Sequence, residues 1–239
     1  MQVEIVSRVM TTTTPLTVFC GGAMRPLLRE LVPAFERAYD VAVGVEFRLS
    51  AALKRAIRDG AAFDIAILPR PELDELIACG AIVRDSVVNV ARSTVGLAVR
   101  AGAPKPDIGN VDAVRRALLQ ARSIAYSDGP SGVYVAGLLA KLGIGEAVAA
   151  KVKLTSGPVA ELVARGEAEL GMQQIVAILP VAGAQLVGPL PAELQNVIIY
   201  AAGRSSGAFF NAAAVVAFIA FARGDHAKQL MRANGLDPA

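Results

Sequence analysis

One rhythm constrains this chain more than any other feature. Short runs rich in β-branched and apolar residues alternate with helical stretches from Leu16 onward. Leu16 to Cys20 reads as a buried strand closed by Gly21-Gly22. Met24 to Tyr39 reads as an amphipathic helix, with Leu27, Leu28, Leu31, Val32 and Phe35 on one face and Pro33 placed to kink it. Val41 to Phe47 is a second strand, and Ala51 to Asp59 a helix stopped by Gly60. Asp64 to Leu68 is a third strand, and Pro71 to Ala78 a helix ending at Gly80. Strands joined by helices return to the same end each time, which predicts a parallel sheet with helices on its faces.

The second half repeats the rhythm. Ser93 to Arg100 reads as a strand, Ala101 to Asp107 as a loop and Val111 to Gln120 as a helix. Ser123 to Tyr126 is a strand, and Gly129-Pro130-Ser131-Gly132 opens a helix through Leu142. Strands follow at Val152 to Leu154, Ala168 to Gln173, Gln185 to Leu190 and Val197 to Ala201, with a helix at Val159 to Arg165. A long helix from Phe209 to Arg223 and another from Ala227 to Ala233 close the chain. No polar linker separates the two sets. The expectation is an α/β fold of two intertwined lobes, each a mixed, mostly parallel sheet flanked by helices, with a ligand cleft between them. Residues 1–92 and 203–239 form lobe one and 93–202 lobe two, with crossings near Ala91 to Val95 and Ala201 to Arg204. Ligands in such folds sit at the carboxyl ends of strands, against helix N-termini.

Composition narrows the function classes. Of 239 residues, 54% are hydrophobic and 19% charged, which excludes a disordered chain. The uncharged run Gly207 to Ala222 is shorter than the roughly 20 residues a membrane span needs, and Gly171 to Ala192 is broken by Pro180, Pro189 and Pro191. The net charge of +3 is scattered, with no basic patch for nucleic acid. A single histidine, His226, reads as a surface residue and excludes a Ser-His-Asp triad and His-rich metal sites. No cofactor motif or metal-spaced carboxylate cluster is present, and Asp64 reads as a structural strand-edge residue. Cys20 and Cys79 fit a reducing compartment. Met1 to Thr14 lacks the apolar core of a signal peptide, so the chain as written reads as cytoplasmic, and as periplasmic if a leader was removed.

Four loop-to-helix junctions carry what chemistry there is. The first, Cys20 to Arg25, offers Gly22 and Ala23 for close backbone approach to an anion and Arg25 as a cation. In the second, Ser50 either caps the following helix or offers its hydroxyl to a ligand, and Arg48 adds donors suited to a carboxylate. The third, Ser127 to Gly132, places Ser131 and Gly132 at a helix start. The fourth places Ser156 before another helix.

These residues resemble molybdate-type periplasmic solute-binding proteins over roughly Leu16 to Leu236. The resemblance runs through Leu16-Thr17-Val18-Phe19, Phe47-Arg48-Leu49-Ser50, Leu53 to Ile57, Gly60 to Ile65, Gly129 to Tyr134, Lys141-Leu142-Gly143 and Leu162 to Gly171. It implies a two-lobed fold that closes on a small anion and, as partner, an ABC permease; a monomer is expected. By that resemblance one ligand serine is retained as Ser50, another falls on Ala23, backbone donors fall on Ser131 and near Ser156, and the binding tyrosine falls near Gln174. Arg25 and Arg48 are additions, suited to carboxylates more than to a compact oxyanion. The fold is also similar to that of aconitate isomerase, which implies isomerisation of a polycarboxylate as the alternative activity.

Overall fold

The computed structural model describes residues 14–128, 130–207 and 212–239. Strands β1 (Leu16–Gly21), β2 (Val43–Arg48) and β3 (Ile65–Pro69) run parallel, with β1 in the middle. Helices α1 (Arg25–Tyr39) and α2 (Ser50–Arg58) make the returns, and α3 (Arg70–Ala78) follows β3. The two-residue period of β1 decides what each helix covers. Val18 and Cys20 pack with Leu27, Leu31 and Phe35 of α1, while Phe19 faces Leu53 and Ile57 of α2. Pro33 lies inside α1 without ending it, and the helix stops where Asp40 turns left-handed. Asp64 accepts the Thr17 N–H at 2.7 Å, a structural role at the start of β3.

The expected strand Ser93 to Arg100 corresponds to β5 (Val95–Arg100), and a strand not expected from the sequence, β4 (Val88–Ser93), precedes it across Thr94. Then come α4 (Val111–Gln120), β6 (Ile124–Ser127), α5 (Pro130–Lys141), α6 (Gly145–Val148), β7 (Val152–Thr155), α7 (Val159–Ala164), β8 (Leu170–Gln174), α8 (Ile175–Ile178) and β9 (Ala184–Pro189). The chain ends with β10 (Ile198–Arg204), α9 (Ala212–Phe221), α10 (Asp225–Ala233) and β11 (Asp237–Pro238). Phe209 to Asn211, expected to begin the long helix, lie outside the described residues, as do Met1 to Thr13 and Gly129. No single described helix is long and apolar enough to cross a membrane.

Two sheets result, a six-stranded one ordered β11-β4-β10-β3-β1-β2 and a five-stranded one ordered β7-β6-β8-β5-β9. Both are mixed. Parallel pairing is confined to β2-β1-β3 and β7-β6-β8, and the strands that carry the chain between the sheets, β4, β5 and β10, pair antiparallel.

The chain crosses first at Thr94, inside the expected Ala91 to Val95. The return crossing differs from expectation. All of β10 pairs with β3 and β4, so the chain has already returned before Ala201 to Arg204, and the crossing is 190–197. An apolar run such as Ile198 to Ala202 satisfies either sheet equally, so hydrophobicity does not say which one it joins. Packing does. Leu190 and Leu194 belong to the core of the five-stranded sheet, whereas Tyr200 and Ala202 belong to that of the six-stranded sheet.

The two crossings are tied by the pairing of Ile198 with Ser93, by the bond from the Leu190 N–H to Val95 O at 3.0 Å, and by one side chain. Gln195 accepts the Val95 N–H at 2.7 Å and donates to the carbonyls of Val95 at 3.0 Å and Leu190 at 3.1 Å. Helix α5 holds the same segment, through the Tyr134 hydroxyl to Leu194 O at 2.5 Å and Lys141 Nζ to Glu193 O at 3.1 Å. Replacing Gln195 by Ala strips the Val95 N–H of its partner. Chemical denaturation of Gln195→Ala is expected to show a loss of about 2–3 kcal/mol, the cost of leaving a largely buried backbone donor unpaired.

Candidate functional site

The parallel strands of each sheet end together, and their ends carry the candidate residues. In the six-stranded sheet β1 ends at Gly21, opposite Arg48 at the end of β2. In the five-stranded sheet Ser127 ends β6 opposite Thr155 of β7, and Gln174 ends β8. The two ends meet where α8 packs against the short 3-10 turn Gly22–Met24. A cavity of about 300 Å³ there is lined by Gly22, Ala23, Arg25 and Pro26 from one side and Val176 and Ala177 from the other. Val176 is buried in the core of the six-stranded sheet although the chain reaches it from the five-stranded one.

The first two junctions lie side by side. A Cβ placed on Gly21 would stand 3.8 Å from Ser50 Oγ. Ser50 is the first residue of α2. Leu49 occupies the cap position with no side-chain cap bond, so Ser50 does not act as the cap. Arg25 and Arg48, which could stand together on one side of the site, have different surroundings. Arg25 lies over the Phe47 ring at 4.5 Å, and Arg48 is ion-paired to Glu46. Phe47 and Arg48 are consecutive on a strand and point to opposite faces, so the two guanidiniums are held on opposite faces of β2. Arg25 keeps its place on the cavity, whereas Arg48 is half exposed and partly neutralised.

The third junction is the most tightly built. Ser127 Oγ and Ser131 Oγ share a hydrogen bond of 2.8 Å across the turn from β6 into α5. Gly132 lies against the Ser127 carbonyl so closely that a Cβ would fall 1.5 Å from that oxygen. The first turn of α5 therefore presses onto the end of β6, and the hydroxyls of Ser127 and Ser131 meet there. Ser127 was passed over in the sequence. Its signal was a spacing of four from Ser131 across a strand-to-helix turn. At the fourth junction the Gly157 N–H bonds Thr155 Oγ1 at 3.0 Å and the Asp128 N–H bonds Thr155 O at 3.0 Å, leaving Ser156 exposed beside the edge strand.

Electrostatically the site is neutral dipoles with two cations, Arg25 and Arg29, at the cavity. Burial pushes the Cys20 thiol far up, more than the neighbouring Arg25 charge pulls it down, so Cys20 is a packing residue and not a thiolate. Tyr200 is also buried, and its phenol is pushed up to about 12 by burial first, then by Cys20 and Glu72. It pairs with Pro69 at the carboxyl end of β3 and stays protonated at neutral pH. His226 is exposed on α10, and no group of three metal-ligating side chains occurs among the described residues.

Two sheets joined by two crossings, with the carboxyl ends of their parallel strands brought together around small-residue turns, define the class of two-lobed ligand-binding α/β proteins. The chain belongs to a family of that class. Residues 16–237 match the model of the bacterial extracellular solute-binding proteins. An aconitate isomerase of a Pseudomonas species is 34% identical over 232 residues, spanning 94% of this chain and 88% of that one. Among solved structures, a substrate-binding domain ascribed to a molybdenum ABC transporter of Clostridium difficile superposes with a TM-score of 0.82 at 16% identity, over 94% of this chain and 99% of that one. The periplasmic molybdate-binding protein of Azotobacter vinelandii superposes with a TM-score of 0.71 at 20% identity, over 92% and 98%.

The third junction makes a sharp prediction. Gly132→Ala drives a methyl group into the Ser127 carbonyl and is expected to lower stability by about 3 kcal/mol or more. Gly137→Ala on the same helix, where a Cβ meets nothing within 4 Å, is expected to be neutral or stabilising by up to about 1 kcal/mol. Thermal denaturation of the pair checks both.

Proposed function

We propose that this chain binds a small polycarboxylate where the carboxyl edges of its two sheets meet, with residues to about 93 and from about 198 acting as one lobe and those between as the other. The observation that carries the reading is the α5 junction. Ser127 and Ser131 are hydrogen-bonded to each other at the start of α5, and in this reading their remaining hydrogen-bonding capacity and the helix start serve the ligand together with the Gly22-Ala23 turn and Arg25. Helix N-termini and hydroxyls hold one carboxylate through dipoles, and a second carboxylate some ångströms away is met by a full cation. The 34% identity to an aconitate isomerase supports a polycarboxylate over a compact oxyanion, as does Ala23, which offers no hydroxyl. In the family's usual setting such a protein delivers its ligand to an ABC permease, and that role is part of this proposal.

The same identity favours a second reading, in which the bound polycarboxylate is isomerised at this site. Proton transfer at a carbon next to a carboxylate needs a base near that carbon and cations or dipoles for the charge that develops. Incubation with cis-aconitate followed by proton NMR separates the two readings. An unchanged spectrum with saturable binding supports the binding protein, and appearance of the trans isomer supports the enzyme.

A thermal-shift series with tricarboxylates, dicarboxylates, sulfate and molybdate is expected to show the largest rise with tricarboxylates, because a ligand selective for the folded state raises its midpoint. Ser131→Ala is expected to weaken that binding by about 1.5–3 kcal/mol, the range for a hydrogen bond to a charged group. Arg25→Ala is expected to weaken it more than Arg48→Ala, since Glu46 already holds Arg48. Calorimetry on the three variants checks the order.

A further inference from the structure

Buried polar groups in folded proteins are satisfied almost without exception, so the unsatisfied ones repay individual attention. Among the described residues, four side chains hold buried polar atoms without a hydrogen bond: Glu46, Glu72, Ser93 and Gln174. The two carboxylates face cations, Arg48 for Glu46 and Lys54 for Glu72. Ser93 and Gln174 have neither kind of partner. Ser93 is fully buried and Gln174 is 8% exposed, and in Gln174 both Oε1 and Nε2 are orphaned.

The two lie at one place in the fold. Gln174 pairs with Val95 in the ladder between β8 and β5, and the next residue, Ile175, donates its N–H to Thr94 O at 2.9 Å. Ser93 precedes that same Thr94, at the first crossing. Along β8 the two-residue period puts Gln174 on the face of Leu170 and Met172, the face packed by α5, while Gln173 turns the other way and accepts the Ala160 N–H at 3.2 Å. Gln174 therefore ends its strand on the side of the helix whose start carries Ser131. An amide buried there without a partner costs stability in the empty protein, and the cost is recovered when a ligand supplies both missing partners.

We infer that Gln174 selects for a ligand that presents an O–H donor beside a carboxylate oxygen, as a hydroxy-polycarboxylate or a singly un-ionised polycarboxylate does, and against acceptor-only oxyanions. This rests on the polycarboxylate reading above and narrows it. Nε2 donates to the carboxylate oxygen, and Oε1 accepts from the O–H. Sulfate and molybdate carry acceptors alone at neutral pH, so they satisfy Nε2 and leave Oε1 facing lone pairs. Both amide atoms are shut off from solvent in this structure, so the ligand reaches them as the two edges part about the crossings. The Ser93 hydroxyl, which both donates and accepts, lies within two residues of the same ladder position and supplements the amide.

The test is isothermal titration of the full chain with citrate, with tricarballylate, which is the same tricarboxylate skeleton without the hydroxyl, and with sulfate. The wild type is expected to bind citrate about tenfold or more tighter than tricarballylate, because an unsatisfied buried acceptor accompanies the latter. Gln174→Met, of similar length and apolar, is expected to bring that ratio close to one. A wild-type ratio near one overturns the inference and needs no variant to read. So does a ratio that survives in Gln174→Met. Should Gln174→Met fail to fold, Gln174→Asn, which withdraws the amide by one methylene, is expected to reduce the ratio, and an unreduced ratio overturns the inference. If neither tricarboxylate binds while sulfate does, the polycarboxylate reading fails and this inference with it. If both bind equally, this inference alone fails.

Discussion

The architecture turns on the ties between its two crossings. Two sheets made from one chain with two crossings need those crossings held in register, or the strand ends that face each other drift apart. The backbone does this in part, through Leu190 N–H to Val95 O and the pairing of Ile198 with Ser93, and Gln195 adds to it by accepting from the Val95 N–H and donating to its C=O. Through Leu190 and Leu194 the same segment is seated in the core of the five-stranded sheet, and Tyr134 ties it to the helix that begins at the site. The position of Ser131 relative to Gly22 thus depends on contacts that touch neither residue.

At the site the design is one of dipoles more than charges. Arg48 is partly neutralised by Glu46, and the thiol of Cys20 and the phenol of Tyr200 are held protonated by burial. What remains is turns of small residues, paired hydroxyls, a helix start, Arg25 on its aromatic support, and Arg29. Neutral donors discriminate by geometry and by hydrogen-bond sense more than by net charge. That gives the unsatisfied Gln174 amide more weight than its lack of charge suggests.

Much of the fold was legible in residues alone. Strand and helix periods fall where the structure has them from Leu16 to Ala78, because each amphipathic helix and each apolar strand has one way to bury its face. The first crossing was legible within a few residues. The second was not, since Ile198 to Ala202 is apolar enough for either sheet and only its partners β3 and β4 decide. Strand β4 was not legible either, since Asn89 and Arg92 interrupt its apolar residues. For the site, the small-residue turns and the serines at helix starts were visible as local chemistry. Which way Arg25 and Arg48 face, and that Ser50 is not a cap, were not.

The sequence by itself determined the α/β rhythm, the absence of histidine chemistry near the site, and a set of junctions able to meet an anion. These follow from local rules, namely side-chain period, glycine and proline placement, and residue type. Tertiary structure decided what those junctions amount to together. It put Arg25 on the cavity and Arg48 on Glu46, pressed Gly132 onto Ser127, and left Gln174 buried with nothing to bond. Each of these is a relation between residues on different elements, and a local pattern does not specify which neighbour arrives through space.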